Sequence, residues 1–507
     1  MPAPMMTAST RSGSFVRGSA SHGWFANRLP STSQMGVRAT VSANVTVVNE
    51  RGIVPNICPR AHLHIRNTRT RPRSSAKKVS MNVRAARTSC LRRPASRLSP
   101  TRSRVKRPQR FSDLIFPPPL VLRPPRQNHK RERYCSEPER TQMIIDAHVY
   151  CFHPADHPAG HTTPEQHLAW LQVAVAGHHQ PVVRLSDRTE SDTSALAPAG
   201  RERINDLPDL KFRPDHERGR LVWTIDGEDY TKYWMPPDLR NLEFTPHSLI
   251  GEMDYAGVDV ALLHTDPSLG RDSTFLARCV ASYPDRLRAM APVDEWRITG
   301  EPDAVIAELT ESIETHGLHA IKFIPDTAYL DLGTAWDDGA YRPFWEVATS
   351  FGLPVFFTLG SGGSDNEIEG YLDQQRILMR WMERYPDTPC VLTHGFPYRS
   401  MREGRRIAVP NEAWTPFGNP NCHLEVCLPV RLGDWFDYPY RELHSTLEEM
   451  VERVGPNQLM WGTDMPFQNR FCTYRQSRDW IEKHCAFLDE TSRLAIMGGT
   501  AARILDL

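Results

Sequence analysis

Short apolar runs punctuate the chain from Met143 to its end, and a helical pattern follows almost every one. The runs are MIIDAHVY (143–150), VDVALLH (258–264), LRAMAPV (287–293), HAIKFIP (319–325), LPVFFTL (353–359), CVLTHGF (390–396), CHLEVCL (422–428) and LMWGTDM (459–465). Strands this continuous in apolar residues belong to a parallel sheet covered by helices on its faces, not to an alternating half-solvated one. The intervening segments carry helix signals. Thr245 and Pro246 form a cap and a first helical residue, and Gly257 provides the stop. Further helical patterns cover 271–284, 303–317, 341–352, 369–386, 441–455 and 473–485, and a last one closes the chain.

Eight strand–helix alternations in the 365 residues 143–507 predict an α/β fold, a (β/α)8 TIM barrel. The rival is an open doubly wound sheet. Against it, no G-x-G-x-x-G follows a strand and there is no phosphate-loop motif. Residues 152–245 are too long for a simple connection. They carry Trp170, Trp223, Tyr230, Tyr233 and Trp234 and read as an elaborated loop over the barrel mouth, either a substrate lid or aromatic surface packing.

Charge divides the chain. Residues 1–142 hold 28 Lys and Arg against five Asp and Glu; residues 143–507 hold 33 against 55. The first segment is rich in Arg, Ser, Thr and Pro, sustains no apolar period, and ends in a Pro-rich linker, FPPPLVLRPPR (116–126). It is expected to be a disordered extension, because it cannot bury enough surface to offset its ordering entropy. Its readings are a passive leader ahead of Met143, an organelle transit peptide, or a non-specific nucleic-acid tail. The acidic barrel would repel phosphate, so nucleic acid is not expected as its partner. No stretch nears the roughly 18 uninterrupted apolar residues of a membrane helix. The ten cysteines show no paired spacing, which suits a reducing, cytoplasmic setting.

Catalytic groups of such barrels gather where the strands end. Those ends offer Asp146, His148 and Tyr150 on the first strand, His264 and Asp266 on the second, Lys322 on the fourth and Thr358 on the fifth. The sixth ends at His394, the seventh carries Glu425, and the eighth ends at Asp464. A charge inside an apolar run needs a partner, a metal or water. Asp464 and His394 stand out, each preceded by apolar residues and followed by a turn. Asp464 otherwise reads as a cap, and His148 as a satisfied core histidine.

These residues resemble the amidohydrolase superfamily, in its amidohydrolase-related branch of hydrolases and decarboxylases. MIIDAHVY is similar to the D-x-H-x-H opening, VLTHGFP to the sixth-strand histidine, NQLMWGTDMPF to the eighth-strand G-[ST]-D-x-P, HAIKFIP to the fourth-strand G-[IV]-K-[IL], and GGTAARIL to the terminal helix. The resemblance implies a divalent metal, usually zinc, held by two first-strand histidines, a fifth-strand histidine and the eighth-strand aspartate. Tyr150 and Thr358 depart from that set. Either a metal binds through Asp146 or His148, Asp464 and His394, or none binds and Asp464 acts as general base on water, aided by His394 and His148. The expected activity is hydrolysis of a small lactone, ester or amide, with Asp464 as base and His394 beside it. Non-oxidative decarboxylation of an aromatic or muconate-type acid is the alternative, with Lys322, Tyr150, Arg399 or Arg402 holding the substrate. A catalytically lapsed binding barrel is the third reading. Such barrels often pair as homodimers, and the sequence does not choose between monomer and dimer.

Overall fold

The computed structural model describes residues 143–507 apart from 192–194, 198–203, 326–334, 362–363 and 365. The basic extension, residues 1–142, lies outside the described residues. Eight parallel strands form one sheet: β1 (Ile145–Val149), β2 (Val260–Leu263), β3 (Leu287–Ala291), β4 (Ala320–Phe323), β5 (Val355–Phe357), β6 (Cys390–Leu392), β7 (Cys422–Val426) and β8 (Leu459–Trp461). Each pairs with its successor in parallel. Just past β8, Val149 bridges Met465 in parallel, and Tyr150 N–H donates to the Met465 carbonyl at 2.8 Å. The sheet therefore closes on itself, as expected for the predicted barrel.

Strand alternation sorts the side chains. Ile145, Ala147, Val260, Leu262, Met290, Ala320, Phe356, Val391 and Met460 form one buried cluster, the barrel interior, plugged by Ala501 and Leu505 of the last helix. A second, larger cluster fills the space between strands and helices. Gly498 makes the plug fit: a Cβ there would lie 2.2 Å from the Met143 carbonyl. The predicted helix starting at Pro246 runs Pro246–Ala256, with the Thr245 side chain accepting from Ser248 N–H and Gly257 left-handed at φ 69°. That glycine ends the helix without the cost a side chain would incur.

β1 contains an irregularity that matters for the site. Ile145 and Asp146 pair with Val260 and Ala261, but Val149 pairs with Leu263, so β1 holds one residue more than its neighbour. A bulge re-aims the side chains beyond it. Ala147 points into the barrel cluster, and Val149 packs in the outer one.

The stretch 152–245 is more than an elaborated loop. It contains a helix, Pro164–Gly177, and a five-stranded antiparallel sheet in the order 190–191, 182–184, 228–232, 220–225, 213–215. Trp170, Trp223 and Trp234 are buried, Trp170 against Trp296 beyond the insertion, while Tyr233 is exposed. It touches the loops at the C-terminal ends of the strands. His161 and His167 hydrogen-bond to the Pro267 and Ser268 carbonyls after β2, and Trp234 packs on Phe467 after β8, centroids 5.0 Å apart. No helix among the described residues is long and apolar enough to cross a membrane.

Candidate active site

The strand ends bring His148, His264, Lys322, His394, Glu425 and Asp464 into one buried polar group. Asp464 and His394 each follow a strand by a few residues, and each has a left-handed backbone, φ 62°. Non-glycine residues adopt that conformation at a cost of order 1–3 kcal/mol, recovered from the surrounding structure. Here Asp464 N–H donates to the His148 carbonyl at 2.8 Å, and His394 N–H donates to Glu425 Oε2 at 2.8 Å. Gly462 lets β8 come close enough: a Cβ on it would sit 2.9 Å from the His148 Cβ.

His148 is the hub. Its Nδ1 is 2.8 Å from Glu425 Oε2, and its ring stacks on His264 with centroids 3.6 Å apart. A proton on Nδ1 serves the Glu425 bond, so Nε2 is left as the acceptor, receiving the Tyr150 hydroxyl at 2.9 Å. Asp464 Oδ1 lies 3.4 Å from that Nε2 and 3.3 Å from His394 Nε2. A second chain of contacts runs below. The Lys322 ammonium is 3.2 Å from His264 Nδ1 and 3.4 Å from Thr393 Oγ1, and Thr393 Oγ1 lies 2.6 Å from Thr358 Oγ1. His264 Nε2–H donates to the Ala147 carbonyl at 2.8 Å, which leaves Nδ1 free to accept from Lys322.

Burial governs the protonation states. It pulls His148 down to about 3 and His394 down to about 4, so both rings are neutral at pH 7. It pushes Glu425 up to about 7 and lowers Lys322 to about 8. Burial alone would raise Asp464, but His394, His148 and Arg470 outweigh it and hold the carboxyl below its ordinary value. Asp464 is therefore the group's standing anion, Glu425 gains and loses its charge near neutrality, and Lys322 is the internal cation.

Asp146 does not join them. Ile145 and Ala147 face inward, so Asp146 faces out, and the bulge turns His148 back toward the mouth. The Asp146 carboxylate accepts from His148 N–H (3.0 Å), Thr463 N–H (3.1 Å), Thr463 Oγ1 (2.5 Å) and Tyr474 OH (2.7 Å). Four donors use a carboxylate's accepting capacity, leaving no lone pair for a metal. It fastens β1 to β8 and to the outer helix Tyr474–Asp479. Tyr150 is buried against His148. Arg399 forms a bidentate pair with Asp434, at 2.7 and 3.0 Å, and lies over Trp435. Arg402 also covers Trp435.

Do the remaining donors fit a metal? His148, His394 and Asp464 offer atoms that all lie within 4.8 Å of one another, as do His148, His264 and Glu425. In the second group the atoms are engaged with one another, with the Ala147 carbonyl and with Lys322. In the first, the observed 3.3 and 3.4 Å separations match the ligand–ligand edge of about 3.3–3.4 Å that zinc distances of about 2.0–2.1 Å impose on a tetrahedron. His148 Nε2 and Asp464 Oδ1 also face each other as two lone-pair donors, and Glu425 orients His148 as carboxylates orient metal-ligating imidazoles. The first group fits a three-ligand site with an open position once the Tyr150 hydroxyl leaves His148 Nε2 and His394 carries its proton on Nδ1 instead of Nε2.

Sequence reading gave little weight to Glu425 and His264, and passed over Thr463, Tyr474, Thr393 and Arg470. The charge of Glu425 inside CHLEVCL was the available signal.

Comparison with known proteins bears on this arrangement. Residues 178–507 match the family model described as Amidohydrolase. No curated protein matches the chain. Among solved structures, a probable 2-pyrone-4,6-dicarboxylic acid hydrolase from Acinetobacter baumannii, with citric acid bound, shares 18% identity over 52% of this chain and 90% of its own, at a TM-score of 0.41. The 5-carboxyvanillate decarboxylase from Sphingomonas paucimobilis shares 18% over 54% and 86%, at 0.38. An amidohydrolase from Burkholderia multivorans, with bound HEPES, shares 14% over 72% and 99%, at 0.45. With a closed barrel of eight strands, an aspartate ending the last one, and a family match over residues 178–507, the chain belongs to the amidohydrolase family.

Proposed function

We propose that the barrel hydrolyses a small carbonyl compound, a lactone, ester or amide, with Asp464 as general base. The observation that carries this reading is the Asp464 carboxylate itself. It is ionised and buried, its Oδ1 sits between two neutral imidazoles, and its Oδ2 has no hydrogen-bond partner among the described residues. A buried unpaired carboxylate oxygen is costly. At the mouth of a barrel it is a ready acceptor for a proton from water.

The steps follow from the geometry. Water delivers a proton to Asp464 Oδ2 while its oxygen bonds to the substrate carbonyl carbon. His394 Nε2–H, donating to Oδ1, fixes the carboxylate's orientation, and Tyr150 fixes His148. Lys322 provides positive potential beneath the carbonyl oxygen as charge develops there. The carbonyl re-forms, the bond to the leaving oxygen or nitrogen breaks, and that atom recovers the proton from Asp464. A divalent ion, zinc first among them, would be held by His148, His394 and Asp464. It would add Lewis acidity, lowering the pKa of water.

Full-length protein tested on a panel of lactones, esters and amides should hydrolyse at least one. Asp464→Asn should lower that rate by about 10²–10⁴-fold, the usual range for a positioned base. Coincident wild-type and mutant rates would refute the assignment. Release of carbon dioxide without consumption of water would replace it with decarboxylation, the reading that Lys322 beside Asp464 also supports.

A further inference from the structure

Tyr150, the first residue past β1, stands where the three-ligand site would take an ion. It is buried, and its N–H is fixed on the Met465 carbonyl beyond β8. Its hydroxyl lies 2.9 Å from His148 Nε2. An imidazole nitrogen that accepts has a single lone pair in the ring plane. That pair serves a hydroxyl proton or an ion, not both. The opposite ring nitrogen offers no way round, because His148 Nδ1 is 2.8 Å from Glu425 Oε2. Turning the ring would break that contact. The occupied Nε2 is also the atom that lies 3.4 Å from Asp464 Oδ1. The hydroxyl therefore covers the ligand atom that His148 would bring to the group it forms with His394 and Asp464.

Aromatic packing keeps the tyrosine in this place. Its ring meets Phe467 edge to face, with centroids 5.8 Å apart at 89°, and meets His264 at 6.0 Å and 67°. Phe467 is backed in turn by Phe152, stacked at 6.2 Å, and by Trp234 of the insertion at 5.0 Å. Edge-to-face pairs of this kind contribute beyond the area they bury. Tyr150 thus sits between His264 and Phe467, and the insertion braces it from behind Phe467.

We infer that Tyr150 is a gate on metal loading: its hydroxyl holds His148 Nε2 in a metal-free state, and an ion enters only when the tyrosine gives up that hydrogen bond. The gate acts on binding alone, so it holds whether the barrel hydrolyses a carbonyl compound or releases carbon dioxide. His394 must also carry its proton on Nδ1 to receive an ion, but that requirement is the same with or without the hydroxyl. A buried hydroxyl deprived of its acceptor opposes binding by a factor of about 5–150. Use of the hydroxyl as a ligand in its own right would have the opposite sign, since its removal would then weaken binding.

The test is zinc affinity, measured on full-length protein stripped with a chelator and titrated with zinc chloride in competition with a chromogenic chelator. Tyr150→Phe should bind zinc about 5–150-fold more tightly than wild type. Adding Asp464→Asn to Tyr150→Phe should erase the gain, which assigns the ion to the strand ends and not to histidines elsewhere. Equal affinities, weaker binding by Tyr150→Phe, zinc binding by neither protein, or a gain that survives Asp464→Asn would each overturn the gate. Should Tyr150→Phe lose the wild-type circular dichroism spectrum, Tyr150→Leu removes the same hydroxyl and carries the same test with the same outcomes.

Discussion

Replacing Glu425 by Gln should make the protein more stable at pH 8 and less active at every pH. The carboxyl is fully buried, and burial raises it to about 7 from an ordinary value of 4.5. A raised acid binds its proton more tightly in the folded state, so its stabilising contribution is complete below pH 4.5 and is lost as pH rises through 7. The difference of about 2.5 pKa units corresponds to about 3 kcal/mol at pH 8. Glutamine removes that loss while keeping one oxygen to accept from His148 Nδ1–H and His394 N–H. Lys322 takes part of the gain back, because Glu425 is the charge that most supports its protonated form. The net expectation is therefore about 1–3 kcal/mol of added stability at pH 8, shrinking toward zero near pH 4.5. Activity should fall about 10–100-fold, since a neutral amide orients an imidazole less firmly than a carboxylate does. Urea denaturation followed by tryptophan fluorescence at pH 5 and pH 8 measures the first effect, and steady-state rates measure the second. A mutant less stable than wild type at pH 8, or a stability difference that does not change with pH, would refute the account of Glu425 as a charge buried at a cost.

Two further outcomes follow from the site. With Glu425 gaining its proton below about 7 and Lys322 losing its own above about 8, the hydrolytic rate should peak between about pH 7 and 8 and fall on either side; Lys322→Met should remove the alkaline limb of the pH–rate profile and lower the maximum. Tyr474→Phe should cost about 1–3 kcal/mol, the penalty for leaving a buried polar group short of a partner, because Asp146 Oδ2, whose carboxyl burial raises to about 7, loses one of two donors. Its rate at 25 °C should stay near wild type, since Asp146 fastens strands and does not face the mouth; a large loss of rate without loss of stability would contradict that placement.

The barrel was legible because its strands are continuous apolar runs, and Asp464 and His394 were legible because each interrupts one at its end. The helix at Pro246 was legible down to its caps, since Thr245, Pro246 and Gly257 act locally. The insertion's sheet was not. Its strands are two to six residues long and mix polar with apolar positions, as in Glu228–Lys232, so no period survives to be read. Glu425 and His264 were given little weight for another reason: only the closed barrel brings β7 and β2 to either side of His148, and no local pattern announces that meeting. Asp146 was misplaced by the extra residue in β1, which no hydrophobic pattern announces.

That extra residue has a consequence for anyone moving this strand into another scaffold. In a regular strand a spacing of two keeps side chains on one side, so Asp-x-His would place both groups on the same face. Transplanted without its bulge, the segment Ile145–Val149 would leave His148 on the outer side with Asp146 and take the imidazole away from Asp464 and Glu425. The portable unit is thus the β1–β2 pair with its slipped register, together with the β8 turn that grips Asp146 from outside.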